Sequence, residues 1–507
     1  MNIDHDLPSN VGVDPKSLLN IIKELDKCFC HSIMILRHDK IICEGWWKPY
    51  NQNYPHVLFS LSKTFLATAV CFAVQENLIS FDDFVIKFFP EYFPSLPCEN
   101  MQKVQIKHLL TMSYGRNVDL DPDFYYRKDW LEENLHPYLY NEPGTKFCYD
   151  NRCPYIISVI LQKVTGMTAL DYLDSRLFKH LGIEKPFWEE KNGYNIGRSG
   201  LNLKTEDVAK FGLFLLHKGN YKGKQLLNSY LVEKMTSHQI QTYDENRPNY
   251  GAGYGYFVWM CQVEGAYRGS GIGSQLLINM PKQDMTVVVT AGFLDGAETI
   301  LKAIFDNLIG KLDNSSVLSN IELLNENQKL LDSKLNGLSI PFISSKYHIG
   351  SGLSDLGDSL NYSGVIYDIC QNRPNIIRMS IVFGEKSDVL KLWVLGNSAE
   401  PSENPPKTPV LLTLNVGHDE WLENETNFEI SNFHAHSTIF FSDVACSSKW
   451  LSKNEYAVKF VYTQTPYTDT LRIKFGKDWI NGEYICFPCM KNRGKSFQIM
   501  GVQSNKY

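Results

Sequence analysis

Residues 57–74, VLFSLSKTFLATAVCFAV, contain a serine, a lysine three positions later and an apolar run of helical length. Three residues along a helix place the Ser60 and Lys63 side chains on one face. A lysine takes the proton of a serine hydroxyl only where burial and neighbours favour its neutral form. A helix start at Ser60 would also aim backbone N–H groups at the reacting centre. By itself this spacing is common by chance and favours the simpler alternative, a serine helix cap beside an exposed lysine. The other alternative is a nucleophilic Ser60 with Lys63 as its base, which needs support from other segments.

A second segment, residues 141–151 with the sequence NEPGTKFCYDN, places Tyr149 and Asn151 shortly after a Pro-Gly turn. A tyrosine held near an ammonium can relay a proton between a serine and a leaving group. An asparagine amide can bind a substrate carbonyl or the lysine. A Tyr-x-Asn triplet alone does not predict a catalytic site. It becomes informative only together with the Ser60 and Lys63 segment that precedes it.

The third segment, residues 267–289, is a glycine-rich approach to an apolar strand, YRGSGIGSQLLINMPKQDMTVVV. The small residues from Gly269 to Gly273 allow a ligand to approach the backbone at a strand edge. The alternative is a hairpin with a flexible turn.

In this order, the three segments resemble the serine β-lactamase and penicillin-binding protein superfamily, in particular its class C β-lactamase-like branch of serine hydrolases and esterases. Residues 36–50, 106–116 and 201–219 are also similar to that branch, and the resemblance covers about residues 10–312. It implies an α+β domain of the β-lactamase/transpeptidase-like fold, in which helices flank an antiparallel sheet.

The resemblance also implies residue roles. Ser60 would be acylated and Lys63 would be its general base. Tyr149 would protonate the leaving atom and later activate water, while Asn151 would orient the substrate. The backbone N–H groups of Ser60 and of a residue near Ile272 would form the oxyanion hole. No metal and no organic cofactor is implied.

The third segment departs from the family pattern. Aligned on Gln275, the position where the family usually has a lysine, or a histidine in many esterases, is Gly269, followed by Ser270 and Gly271. The cation that would hold a substrate carboxylate is missing, although the neighbouring Arg268 could reach in. These four residues are candidate substrate-binding positions, and their composition puts β-lactam and D-alanyl peptide recognition in doubt.

The rest of the chain predicts two further parts. Residues 313–338 are polar with leucines at helical spacing, which predicts a linker helix. Residues 339–507 contain short alternating runs separated by turn residues, which predicts an all-β accessory domain. This part weakly resembles the lipocalin-like C-terminal domains appended to such hydrolases.

Composition excludes several classes of protein. With 50 basic and 56 acidic residues among 507, the chain lacks the basic excess of nucleic-acid-binding proteins. The start is polar and the longest apolar run is about half a membrane span, so we expect no membrane partner.

Scattered cysteines favour a reducing cytoplasm. The pairs Cys486–Cys489 and His434–His436 lack further ligands at metal-site spacings.

We therefore expect a serine hydrolase that cleaves a small ester or amide through an acyl-serine, with esterase-like specificity. A β-lactamase or D-alanyl peptidase-like enzyme is one alternative. The other is a catalytically lapsed binding or scaffold protein of the same fold. The oligomeric state is left open by the sequence.

Overall fold

The computed structural model describes residues 3–93, 95, 97–117, 130–135, 138–294, 296–345, 360–372, 375–395, 409–426, 443–487 and 496–504. The chain forms two compact units. The first comprises residues 1–45 and 58–337, and the second combines residues 46–57 with residues 338–507.

The helices belong to the first unit. They are α1 (Pro15–Leu25), α2 (Ser62–Gln75), α3 (Glu99–Gln102), α4 (Ile106–Leu110), α5 (Trp130–Leu135), α6 (Arg152–Thr165), α7 (Ala169–Leu173), α8 (Lys179–Leu181), α9 (Thr205–Leu216), α10 (Ser229–Thr236), α11 (Ala297–Leu308), α12 (Ser315–Leu318) and α13 (Ile321–Asn336). Short 3-10 turns span Pro8–Val11, Phe59–Leu61, Val85–Phe88, Pro90–Tyr92 and Pro281–Gln283, and a π-helical turn spans Asp174–Phe178.

The strands up to residue 291 also lie in the first unit, except for β3 and the last residue of β2. They are β1 (Cys30–Arg37), β2 (Lys40–Trp46), β3 (His56–Val57), β4 (Phe187–Trp188), β5 (Glu190–Lys191), β6 (Tyr194–Asn195), β7 (Leu201–Leu203), β8 (Asn220–Tyr221), β9 (Lys224–Gln225), β10 (Trp259–Met260), β11 (Tyr267–Gly271), β12 (Gln275–Met280) and β13 (Met285–Ala291).

The main sheet of the first unit has six strands in the order β10-β11-β12-β13-β1-β2, with antiparallel neighbours from β10 to β1. Strands β1, β12 and β13 are buried at every position, so both faces of the sheet are covered. Helix α9 packs on one face, where Gly212 allows close approach: a Cβ atom there would lie 2.5 Å from Thr286 Cγ2. The predicted antiparallel sheet flanked by helices is confirmed.

Residues 313–338, predicted as a linker between domains, instead contain two helices that pack within the first unit. Helix α13 lies against α1, where Lys334 Nζ is 2.5 Å from Asp26 Oδ2. Leu324 and Leu331 are buried. Their spacing of two helical turns puts them on one face, which explains why the segment packs on a helix rather than standing apart.

The second unit is an all-β domain. Its strands are β14 (Ile366–Ile369), β15 (Ile376–Val382), β16 (Ser387–Val394), β17 (Val410–His418), β18 (Leu422–Asn424), β19 (Val444–Ser452), β20 (Glu455–Tyr462), β21 (Thr468–Phe475), β22 (Trp479–Phe487) and β23 (Ser496–Gln503). Within the described residues, ten strands form one sheet, which closes into a barrel because β17 also pairs with β19 in parallel. The predicted all-β domain is confirmed, with more strands than the eight of a lipocalin.

Residues 46–57, predicted as part of the hydrolase domain, are grouped with the second unit. The Lys48 N–H donates to Leu338 O at 3.2 Å, and the Val57 N–H donates to Gln464 O at 3.0 Å. The buried Tyr50 hydroxyl donates to Thr465 O at 2.9 Å. These contacts tie the segment to residues that follow it by almost 300 positions or more, which local sequence patterns do not reveal.

Among the described residues, no single helix has the length and apolar character needed to cross a membrane. One bent helix pair, Arg152–Thr165 with Ala169–Leu181, passes that test by length and composition only.

Candidate active site

Ser60 lies on the 3-10 turn Phe59–Leu61, here called the nucleophile turn, which continues directly into α2. Ser60 is half-buried, whereas Ser62 is fully buried and its Oγ accepts the Leu201 N–H at 3.1 Å. Phe59 has φ +45°, a left-handed conformation that costs a bulky residue roughly 1–2 kcal/mol. The hydroxyl at the start of this helix is therefore presented by a strained turn.

Lys63 is the buried partner of Ser60. Its side chain is 1% exposed, its Nζ lies 2.9 Å from Ser60 Oγ, and it donates to Arg198 O at 2.8 Å. The residue preceding α2 is Leu61, and no side chain caps the helix there. The exposed lysine and serine cap of the simpler alternative are therefore not what the fold contains. Sequence reasoning missed the Arg198 carbonyl, because backbone acceptors carry no residue signature.

Tyr149 lies beside this pair. Its ring centroid is 5.0 Å from Lys63 Nζ. Asn151 directly precedes α6, and both Tyr149 and Asn151 are half-buried. The fold thus brings the first two predicted segments together around Lys63, although the roles assigned to their residues stay predictions.

Asp150, between the two predicted site residues, is fully buried and anchors them. Its Oδ2 lies 3.2 Å from Arg116 Nε and 3.6 Å from Arg152 Nη1, and its Oδ1 accepts the Arg152 N–H at 2.9 Å. A buried carboxylate with such partners fixes the backbone that carries Tyr149 and Asn151. In the sequence, the available signal for this role was an acidic residue between the two predicted site residues.

Two glycines of β11 lie against the nucleophile turn. A Cβ atom at Gly269 would lie 2.2 Å from Leu61 Cδ1 and 2.7 Å from Thr64 Oγ1. A Cβ atom at Gly271 would lie 2.2 Å from Leu58 O. No side chain fits at either position without moving the residues that flank Ser60. The glycine at the family's lysine position therefore has a packing reason.

Ser270 lies on the opposite face of β11, with its Oγ 3.4 Å from the Tyr250 hydroxyl. Ile272 is 42% exposed and follows Gly271, which forms the last ladder pair of β11 with Gln275 of β12. The Ile272 N–H is therefore outside the β11–β12 ladder, as the predicted oxyanion donor requires. The binding roles of Ser270 and Ile272 stay predictions.

Arg268 is fully buried. Its Nη1 donates to Asn249 O at 3.0 Å and to Met260 O at 2.9 Å. Its Cζ lies 4.6 Å from the Tyr250 ring centroid and 5.7 Å from that of Trp259. A substrate carboxylate could contact this guanidinium only if those rings moved, so the arrangement does not supply the missing cation at the surface of the site.

An aromatic cluster, here called the aromatic wall, was missed by the sequence reasoning. Trp259 stacks on Tyr149 with ring centroids 6.0 Å apart and planes 13° apart, and it also packs against Phe147, Tyr250 and Tyr254. Burial raises the pKa of Tyr254 well above its ordinary value, which keeps that hydroxyl neutral. The sequence did not predict this cluster because its aromatic residues are irregularly spaced and form no recognisable motif.

Glu189, which lies near Arg198, has a carboxyl group whose pKa is close to neutral. Burial raises the pKa of Glu189 to about 7, while the charge of Arg198 acts in the opposite direction. Gly200 allows the close approach: it has φ +85°, and a Cβ atom there would lie 2.5 Å from Glu189 Cβ. The charge of Glu189 therefore changes around neutral pH. Glu189 lies close to Arg198, whose carbonyl oxygen accepts a hydrogen bond from Lys63.

The described residues contain no group of three His, Cys, Asp or Glu side chains arranged to hold a metal ion. Cys489, His434 and His436 lie outside the described residues.

Comparison with known proteins adds the family. The Beta-lactamase family model matches residues 19–302, more than half of the chain. An uncharacterized protein of Alkalihalophilus pseudofirmus is 26% identical over 281 residues, covering 48% of this chain and 75% of that protein. The 6-aminohexanoate-dimer hydrolase of Paenarthrobacter ureafaciens is 20% identical over 300 residues, covering 55% and 76%.

Among solved structures, a penicillin-binding protein from Bacillus halodurans is 21% identical, with a TM-score of 0.45, covering 57% of this chain and 99% of that one. The family match extends from α1 to α11 and includes the nucleophile turn, Tyr149 and β11. The chain belongs to the Beta-lactamase family and is a hydrolase of the β-lactamase fold.

Proposed function

We propose that the protein cleaves esters or amides through a covalent acyl-enzyme on Ser60. The observation that carries this proposal is the 2.9 Å separation between Ser60 Oγ and the Nζ of a lysine that is 1% exposed. This proximity and burial support Lys63 as the base that takes the Ser60 proton. The Tyr149 ring, 5.0 Å from the same nitrogen, supplies a second proton carrier.

In acylation, Ser60 Oγ attacks the substrate carbonyl carbon and passes its proton to Lys63 Nζ. The carbonyl oxygen gains a negative charge, which the N–H groups at Ser60 and near Ile272 stabilise. The Tyr149 hydroxyl then protonates the leaving oxygen or nitrogen as its bond to the carbonyl carbon breaks. The proton held on Lys63 restores the tyrosine, and Asn151 holds the substrate in register.

In deacylation, a water molecule attacks the acyl carbonyl while Tyr149 and Lys63 accept its proton. The bond between the acyl carbon and Ser60 Oγ breaks, the serine recovers a proton, and the carboxylic acid leaves. Tyr149 therefore acts as an acid in acylation and as a base in deacylation, while Lys63 accepts a proton in both half-reactions.

Uncharged esters are the preferred substrates under this proposal. A charged hydrogen bond to a substrate carboxylate contributes about 1.5–3 kcal/mol, or roughly tenfold to a hundredfold in rate. Gly269 cannot provide it, and Arg268 is covered by the Tyr250 and Trp259 rings. Penicillins and cephalosporins carry such a carboxylate and lose this interaction here.

An amide is the second candidate substrate. The curated relative named 6-aminohexanoate-dimer hydrolase is matched over 76% of its length, and its name describes hydrolysis of a 6-aminohexanoate dimer. The kcat/KM values for a short-chain p-nitrophenyl ester, a 6-aminohexanoate dimer and a chromogenic cephalosporin, measured on one preparation, rank the three classes. We expect the ester to exceed the cephalosporin, and the reverse order would contradict the proposed specificity.

The nucleophile is tested by incubation with a fluorophosphonate probe and intact mass measurement. Serine attack forms an oxygen–phosphorus bond and releases fluoride, so the wild type gains one probe mass. The matched control is Ser62→Ala, because Ser62 lies two residues away and is buried. We expect labelling of the wild type and of Ser62→Ala but not of Ser60→Ala. A folded wild type that remains unlabelled and inert would favour the lapsed scaffold.

A further inference from the structure

The first unit contains a buried positive charge that the proposed mechanism does not use. Arg268 is 0% exposed, and its Nε and Nη2 have no hydrogen-bond partner among the described residues. Its contacts are the carbonyls of Asn249 and Met260, Cys261 Sγ at 3.6 Å and the faces of two rings. Burial of a charge without a carboxylate partner is expensive, so its retention calls for a compensating role.

The sheet places this charge directly behind the aromatic wall. Arg268 of β11 is the register partner of Trp259 of β10, and Trp259 stacks on Tyr149. The two separations, 5.7 Å from Arg268 Cζ to the Trp259 ring and 6.0 Å from that ring to Tyr149, keep the guanidinium within about 12 Å of Tyr149. Trp259 and Tyr149 are half-buried, so solvent screens the charge only in part.

Among the described residues, no carboxylate is hydrogen-bonded to the Arg268 guanidinium. Glu298 of α11 binds the N–H and Nδ2 of Asn249, at 2.9 and 2.8 Å, rather than the guanidinium. Arg247 lies over Tyr250, at 4.7 Å, but is exposed and paired with Asp244. Cys261 and Tyr254 are buried neutral groups.

Around Tyr149, the facing groups include Lys63 of α2, the buried Tyr254, and the buried Asp150 with its two arginines. Arg116 and Arg152 contact Asp150 next to Tyr149. Arg268 instead contacts Trp259, which stacks on the Tyr149 ring.

We propose that Arg268 is a positioning residue for the Lys63–Tyr149 pair: it fixes Trp259 against Tyr149, and its charge favours the deprotonated, catalytically competent state of the pair. This inference rests on the proposed function. At a separation of about 12 Å and an effective dielectric constant near 20, one unit charge corresponds to about one pH unit in the apparent pKa of the pair. Loss of the charge should move the acidic limb of the rate profile upwards by that amount.

The test is the pH profile of kcat/KM for a short-chain p-nitrophenyl ester. Arg268→Gln and Arg268→Met remove the charge, the first keeping donors and the second keeping an apolar stem, while Arg268→Lys keeps the charge. Arg247→Met is the matched control, because it removes the exposed arginine from the other contact with Tyr250.

We expect the midpoint of the acidic limb to rise by about one pH unit in the neutral variants, with about a tenfold loss below the midpoint and recovery at alkaline pH. Arg268→Lys and Arg247→Met should keep the wild-type midpoint. A uniform loss at every pH, or equal shifts in the lysine and neutral variants, would assign Arg268 to structure alone and overturn the proposal. Failure of both neutral variants to fold while Arg268→Lys folds would overturn it as well.

Fluorophosphonate labelling of the wild type is measured first. Absence of labelling at Ser60 would count against the proposed function itself. Labelling with unmoved midpoints in the neutral variants would count against the role of Arg268 only.

Discussion

Gly269→Ala adds one methyl group at the contact between β11 and the nucleophile turn. The new Cβ atom would lie 2.2 Å from Leu61 Cδ1, short of an ordinary carbon–carbon contact by roughly 1.5 Å. Thr64 Oγ1 would lie only 2.7 Å from the same Cβ atom, so the new methyl group clashes with this oxygen as well. Overpacking of this kind costs about 1–3 kcal/mol of unfolding free energy.

The same methyl group should also lower activity, because Leu61 directly follows Ser60, the proposed nucleophile. A displacement of about 1 Å between reacting groups costs on the order of a hundredfold in rate. We therefore expect kcat/KM of Gly269→Ala to fall by about that factor. Urea denaturation gives the stability change, and ester hydrolysis gives the rate. Ser270→Ala, on the opposite face of β11, is a control for the stability measurement alone, because it changes this strand without added volume.

A double-mutant cycle identifies the contact. Leu61→Ala removes the nearest atom at a cost of about 2–5 kcal/mol, because this leucine is 1% exposed. The double variant should be more stable than the sum of the single effects predicts, by about 0.5–3 kcal/mol. Additive effects, or a Gly269→Ala protein with wild-type stability and rate, would refute the packing explanation for this glycine.

Three further predictions concern the site. Lys63→Ala and Tyr149→Phe should each lower kcat for the ester by at least about a hundredfold, and near-normal turnover in both would identify a different base. Asp150→Asn should lower the free energy of unfolding in urea by about 3–5 kcal/mol, because it leaves buried arginine charge uncompensated, and a neutral effect would exclude the anchoring role. Glu189 has a folded pKa of about 7, above its ordinary value of 4.5, so its contribution to stability falls as pH rises through that interval. Glu189→Gln should reduce the loss of urea stability between pH 4.5 and pH 8, and identical pH dependence in the two proteins would contradict this.

The sequence predicted those parts of the molecule that depend on local patterns. The three-residue spacing of Ser60 and Lys63 sets a geometry within one helical turn, and the alternating runs after residue 339 define strands by themselves. The resemblance supplied the order of the segments and hence the fold. Tyr149 could be named from that order, although its contact with Lys63 is made by tertiary packing alone.

The parts that the sequence did not predict depend on long-range contacts. Tyr50 is tied to Thr465 across 415 positions, which moves its segment into the barrel unit. Arg268 was expected near a ligand, but the carbonyls of Asn249 and Met260 hold it behind the aromatic wall. Backbone carbonyls have no residue signature, so such contacts leave no pattern in a single sequence.

The central claim is the covalent intermediate on Ser60, and trapping that intermediate tests it most directly. The wild type and Tyr149→Phe are mixed with a p-nitrophenyl ester, quenched in acid and digested, and the peptide that carries both Ser60 and Ser62 is fragmented in a mass spectrometer. The account predicts a burst of one equivalent of p-nitrophenol and an acyl mass located on Ser60. An acyl group on another residue, or turnover without any acylated enzyme under conditions where deacylation limits the rate, would contradict it.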